Sequence, residues 1–234
     1  MATKKEEVKE LERQERVNET VSKTDQFFRE NKKTIYGILI ALLVIGLAIV
    51  GYYKLSYQPK AKEAARQMYP AEASFRSGEY DLALNGDGNV LGFSQILEDY
   101  GAKGGKDIYL YAGLCEYNLG NYQQAVDYLK SYKGKEPLMK ARCLAGIADA
   151  YTGLEDYNEA LNYYQKALAV TENLNEDFVN VFNATYMLKA GVACEEIGDK
   201  AKALEFYKTI KDRYPQSIEG YDIDKYISRI ESQQ

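Results

Sequence analysis

One phrase recurs four times along the chain and constrains its fold more than any other feature. It reads Gly78-Glu79-Tyr80-Asp81-Leu82-Ala83-Leu84, then Gly120-Asn121-Tyr122-Gln123-Gln124-Ala125-Val126. Later copies are Glu155-Asp156-Tyr157-Asn158-Glu159-Ala160-Leu161 and Gly198-Asp199-Lys200-Ala201-Lys202-Ala203-Leu204. Each copy holds a residue that ends one helix, a polar residue that starts the next, and small and large residues at one-turn spacing. Pro137 and Pro215 stand seventeen residues after Gly120 and Gly198, where the second helix should have ended. A helix–turn–helix unit of this size cannot bury its apolar face alone, so the units must stack. The pattern predicts an all-α solenoid of about four helical hairpins.

The same residues resemble the tetratricopeptide repeat, a helix–turn–helix unit of about 34 residues. Its small first-helix residue matches Ala71, Gly113, Ala148 and Gly191, each seven residues before the turn glycine or its equivalent. Its large second-helix residue matches Leu129, Tyr164 and Tyr207. The small residue lets paired helices approach, and the large one fills the gap between units.

Spacing departs from the family's interval in two places. From alanine to alanine it is 42 residues (Ala83 to Ala125), 35 (Ala125 to Ala160) and 43 (Ala160 to Ala203). The first long interval holds Asn85-Gly86-Asp87-Gly88-Asn89, a turn signature that should break the second helix of repeat one. It is no EF-type calcium loop, because Asn85, Val90 and Ile96 stand where Asp, Gly and Glu are needed. The second, around residues 173–183, either lengthens helices or forms a protruding loop. Beyond Pro215, Ile223, Tyr226, Ile227 and Ile230 recur at i, i+3, i+4 and i+7, the pattern of a closing helix with a polar back.

Ahead of the repeats, residues 35–53 (Ile35 to Tyr53) carry no charge. Nineteen helical residues at ~1.5 Å each span about 28 Å, close to a bilayer's hydrocarbon thickness. Tyr36, Tyr52 and Tyr53 flank the run, where amphipathic rings favour the headgroup region. The 34-residue leader, rich in acid, does not suit a cleaved signal peptide. The reading is an uncleaved single-pass anchor. Lys32-Lys33 abut its N-terminal end and favour that side as cytoplasmic. In residues 1–34, glutamates from Glu6 to Glu15 interleave with Lys9, Arg13 and Arg16 at spacings that predict a charged helix, and Thr24-Asp25 suit the cap of a second. The organisation expected is leader 1–34, membrane helix 35–53, juxtamembrane helix or linker 54–63, repeats 64–217 and capping helix 218–234.

The chain has no histidine, which removes Ser-His-Asp and Cys-His nucleophile pairs and H-E-x-x-H zinc sites. A net charge of −5 argues against a nucleic-acid partner. Cys115, Cys143 and Cys194 are an odd count without metal-ligand spacing, and they read as small buried hydrophobes. No cofactor or metal is expected. The composition points to binding rather than chemistry.

In tetratricopeptide solenoids the first helices line a concave ligand groove. By that resemblance the groove positions are Met68 and Phe75, then Leu110, Leu114 and Tyr117, then Ala145, Asp149 and Thr152, and finally Leu188, Val192 and Glu195. Leu110 and Leu114 replace the Lys and Asn with which co-chaperones of this family hold a peptide carboxylate, so that mode is not expected. A mixed apolar and acidic groove suits a hydrophobic helix or an extended segment with positive charge. The alternative is that part of this set packs against the extra segments.

The whole layout resembles the YfgM-like ancillary subunits of the bacterial Sec translocon, in the version found in Bacteroidetes-type bacteria. The segments that carry this are Phe28-Arg29-Glu30-Asn31-Lys32-Lys33, Leu82-Ala83-Leu84-Asn85-Gly86-Asp87-Gly88 and Tyr214-Pro215-Gln216-Ser217-Ile218-Glu219-Gly220. The resemblance implies an inner-membrane adaptor, not an enzyme. Its repeats would face the periplasm and bind translocon subunits, chaperones or emerging substrates. Two other readings stay open: a scaffold for envelope assembly or cell division, and a carboxylate-based cell-wall hydrolase built on Asp149 and Glu195.

Overall fold

The computed structural model describes residues 13, 26–172, 174 and 179–232. The charged-helix expectation for the leader therefore lies outside the described residues, Arg13 apart, as do Thr24-Asp25 and residues 173 and 175–178 of the second long interval, whose residues 179–183 are helical. Two compact units result, Met1–Pro59 and Lys60–Gln234.

In the first unit, helix α1 runs Lys32–Tyr52 and is apolar on every side. None of its residues is buried, and apart from half-buried Ile35 its large hydrophobic side chains are 53% to 65% exposed. An 18-residue window reaches a mean hydropathy of 2.6, so the helix is long and apolar enough to cross a membrane. A π-helical turn, Tyr53–Tyr57, follows, with the Tyr53 and Tyr57 rings stacked at 5.4 Å.

The second unit is built from helix pairs. Helix α2 (Gln58–Arg76) precedes a broken partner, α3 (Tyr80–Asn85) and α4 (Phe93–Tyr100), which ends in a 3-10 turn at Gly101–Gly104. Then come α5 (Ile108–Asn118) with α6 (Tyr122–Lys130), α7 (Pro137–Gly153) with α8 (Tyr157–Thr171), and α9 (Val179–Glu196) with α10 (Lys200–Arg213). Helix α11 (Ile218–Glu231) closes the stack. Among the described residues there is no strand.

The recurrent phrase makes the same turn each time. Residues 79, 121, 156 and 199 donate their backbone N–H to the carbonyls of Ser74, Glu116, Tyr151 and Cys194 at 2.8–2.9 Å, closing a Schellman-type helix end. The residue before each donor is left-handed: Gly78, Gly120 and Gly198 have φ of 78°, 83° and 81°. The third copy puts a side chain there, Glu155 with φ 60°. Asp156 and Asp199 then cap the following helices by accepting from Glu159 N and Lys202 N.

Small and large residues pair as the repeat demands. A Cβ on Gly113 would fall 2.5 Å from Leu129 Cγ, and one on Gly191 would fall 2.3 Å from Tyr207 Cε1. In repeat one the second helix breaks at residues 86–92, where Asp87 Oδ1 accepts from Asn89 N and Val90 N. Gly86 sits at φ 72° with its Cα facing the Val90 carbonyl, so no Cβ fits. The break lets α4 bury Phe93 and Ile96. At the far end Ile223, Ile227 and Ile230 of α11 are buried while Tyr226 is half-buried, which covers the last apolar face of the solenoid.

Candidate functional site

Five of the expected groove residues line one cavity of about 230 Å³: Tyr117, Asp149, Thr152, Leu188 and Val192. They come from α5, α7 and α9, the first helices of three successive pairs. The cavity also takes Tyr157, Tyr164, Lys189, Ala193 and Tyr226. Leu188, Val192 and Tyr117 give it an apolar wall, and Asp149, Lys189 and the phenols give it a polar one.

Asp149, Tyr164 and Lys189 of the polar wall form a device that occurs a second time beside the cavity. Asp149 of α7 accepts from the Tyr164 hydroxyl of α8 and from Lys189 Nζ of α9 at 2.8 Å. Glu195 of α9 accepts from the Tyr207 hydroxyl of α10 at 2.6 Å and from Arg229 of α11. In each case an acid on a first helix holds the tyrosine of its own second helix and a cation of the next unit. Arg229 also lies over the Tyr226 ring, 5.0 Å from its centre, and Tyr226 packs 5.2 Å from Tyr207. Lys189 and Arg229 stay 43% and 49% exposed while their acids are 20% and 21% exposed, so each cation is the outer member of its pair, and Lys189 stands at the cavity's rim.

Charge and burial act on the phenols together. Burial, and then the negative charge of Asp149, push the Tyr164 and Tyr117 hydroxyls above the usual phenol range. Burial, and then the hydrogen bond to Glu195, do the same for Tyr207. These phenols are therefore fixed donors at neutral pH. Each acid is bonded to a phenol and a cation, Asp149 through both carboxylate oxygens and Glu195 through Oε1. Among the described residues no cluster of His, Cys, Asp or Glu could hold a metal ion. The three cysteines are buried and unpaired; burial pushes the Cys115 and Cys143 thiols to about 12 and Cys194 to about 11.

The other expected groove residues lie elsewhere. Met68 is buried, because the 3-10 turn after α4 lies on it: a Cβ on Gly104 would fall 3.2 Å from Met68 Cγ and from Ala64. Phe75 joins an aromatic cluster with Tyr80, Phe93 and Tyr111, at 5.6, 6.5 and 5.2 Å. Leu110 is buried beside Ala125, Val126, Leu129, Cys143 and Ile147, with Leu114 packed on the same cluster, and Ala145 is buried too. Met68, Phe75 and Leu110 therefore pack against neighbouring residues and do not line the cavity. Glu195 does not line the cavity; it holds Arg229, which lies over the ring of the lining residue Tyr226. Sequence reasoning missed Lys189 and Arg229. Their only signal is a cation on the first helix of the next unit, one turn from an apolar groove position.

Two stretches, residues 107–138 and 141–216, match family models described as tetratricopeptide repeat, and together they span helices α5 to α10. No curated protein matches the chain. The chain thus carries tetratricopeptide repeats, a fold that generally binds protein partners and is typically non-catalytic.

Proposed function

We propose that this tetratricopeptide-repeat chain is a membrane-anchored adaptor that binds a protein partner in the groove between α5, α7 and α9. The observation that carries this reading is the cavity lined by Tyr117, Asp149, Thr152, Leu188 and Val192 on three successive first helices. Its apolar wall suits one or two apolar side chains of an extended segment or helix. The rim ion pair offers hydrogen-bond partners to the backbone or polar groups of that segment. The anchor is α1, whose exposed apolar surface would otherwise face water along its full length.

The partner we favour is a subunit or client of the secretion machinery. This finer reading draws on the resemblance of residues 28–33, 82–88 and 214–220 to the ancillary translocon subunits. It places the leader in the cytoplasm and the repeats in the periplasm of the bacterial inner membrane.

Affinity purification of the full chain in mild detergent tests both levels. Translocon subunits should co-purify with the parent protein and fall at least about tenfold with Val192→Glu, which puts a charge on the apolar wall at a half-buried position. Equal recovery with parent and variant would refute the groove. Recovery of envelope-assembly or division proteins in place of translocon subunits would refute the secretion assignment and leave the adaptor.

A further inference from the structure

The two edges of the solenoid differ in charge. The turns between first and second helices, residues 77–81, 119–124, 154–159 and 197–200, carry six acids and one lysine. The junctions between pairs carry the opposite sign at the end of the stack nearest α2. Residues 101–107 and 131–136 hold Lys103, Lys106, Lys133 and Lys135 against Asp107 and Glu136. This basic cluster stands in a unit whose residues 60–234 have twenty basic and twenty-seven acidic side chains.

The four lysines are brought together by the fold. Turn 101–104 packs on the middle of α2, where Gly104 abuts Ala64 and Met68. Lys106 Nζ donates to the Lys133 carbonyl at 3.2 Å, which ties loop 131–136 to the same end. Lys103 and Lys133 also donate to the carbonyls of Tyr100 and Lys130, at the C-terminal ends of α4 and α6. Lys106, Lys133 and Lys135 are nonetheless exposed, and so are Lys60 and Lys62 at the start of α2. Of the two acids, Glu136 is taken up in capping α7 through Leu138 N and Met139 N.

We infer that this lysine edge rests on the anionic headgroups of the bilayer that holds α1. The inference relies on the proposed anchoring. Lys60 lies seven residues after Tyr53, so the start of α2 stays within about 25 Å of the end of the apolar run whatever the domain's tilt. The surface that the basic junctions meet at highest effective concentration is therefore lipid. In sequence the third junction, residues 172–178, reverses to Glu172, Glu176 and Asp177, so the basic sign is confined to the first two junctions along the chain. The contact would fix the azimuth of the solenoid on the membrane.

Hydrogen exchange on the full chain tests this, in nanodiscs of phosphatidylcholine alone and in discs with roughly one-third phosphatidylglycerol. Exchange in 101–107 and 131–136 should slow about threefold or more in the anionic disc at low salt, and the difference should vanish at high salt. K103Q/K106Q/K133Q/K135Q, or either pair alone should the quadruple variant unfold, should erase the difference and leave exchange in α7 to α10 unchanged. Equal exchange in the two discs, or a difference that survives the substitutions, overturns the lipid contact and leaves the lysines as helix-end caps. A chain that enters neither disc overturns the anchoring itself and the contact with it.

Discussion

Gly191→Ala is the substitution that best tests how the solenoid fits together. The new Cβ would lie 2.3 Å from Tyr207 Cε1 and 2.9 Å from its Cζ. The Tyr207 ring cannot swing away freely. It is fully buried, its hydroxyl donates to Glu195 at 2.6 Å, and Tyr226 packs against it at 5.2 Å. Forcing it aside costs about 1–3 kcal/mol of overpacking. Loss of its hydrogen bond to a charged carboxylate adds about 1.5–3 kcal/mol, partly shared with the first figure. Replacing glycine by alanine inside a helix returns about 1 kcal/mol. A net loss of about 2–3 kcal/mol follows, equivalent to a fall in melting temperature of roughly 5–10 °C for a domain of this size. Thermal unfolding of the full chain in detergent, followed by circular dichroism at 222 nm, would measure it. Gly191→Ala with Tyr207→Leu should recover part of the loss relative to the two single changes combined. A Gly191→Ala protein as stable as its parent would refute the claim that the glycine exists to seat the ring.

Glu155→Gly should stabilise the protein by about 0.5–1 kcal/mol, because the left-handed φ of 60° burdens a side chain there and the residue is exposed; a urea midpoint no higher than the parent's would contradict this. Asp149→Asn leaves Lys189 unpaired but still 43% exposed, and the amide oxygen can still accept from Tyr164, so the loss in the same titration should be only about 1 kcal/mol; a loss several times larger would refute the solvent screening of the pair or the amide's replacement of the carboxylate toward Tyr164. The thiols of Cys115 and Cys143, held near 12 by burial, should resist a disulfide-exchange reagent at pH 8 until the domain opens, and a fast phase in native protein would refute their burial. The sign of the linkage follows: these folded-state values lie above the unfolded ones, so the thiols' contribution to stability is intact below about pH 9 and is lost as pH rises toward about 12.

Much of the architecture is local, and so it was legible in the residues. A left-handed glycine, a capping Asp and a small residue seven positions earlier each act within two turns of helix, which is why the phrase announces the hairpins one by one. The break at 86–92 was equally visible, since Asn85-Gly86-Asp87-Gly88-Asn89 satisfies its own backbone. The apolar run of α1 announces itself by composition alone. Groove membership is another matter, because it depends on what covers a residue. Met68 occupies a groove position by register, but the turn that buries it comes more than thirty residues later, through a broken helix that no ordinary repeat contains. Phe75 is lost to the groove for the same reason, as Phe93 and Tyr111 close over it.

The paired acids show why register fails at the polar wall as well. Asp149 follows its repeat's small residue, Ala148, directly, whereas Glu195 comes four residues after Gly191. By alignment the two acids are unrelated, yet each meets the tyrosine at the same second-helix position, nine residues after the turn. The size of the small residue gives a reason for the difference. Gly191 lets the Tyr207 ring cross close over α9, so that its hydroxyl meets an acid one turn further on; Ala148 has a Cβ, and Tyr164 finds its acid next to that residue. The cation must then come from whichever helix follows, Lys189 in one case and the closing helix's Arg229 in the other. Each link spans twelve to forty residues and joins different helices, so no short motif records it. In the fold the two acids are the points where one repeat grips the next. A groove whose rim includes such a grip is coupled to the packing of the units, so an occupant that displaces Lys189 would also loosen the contact between repeats.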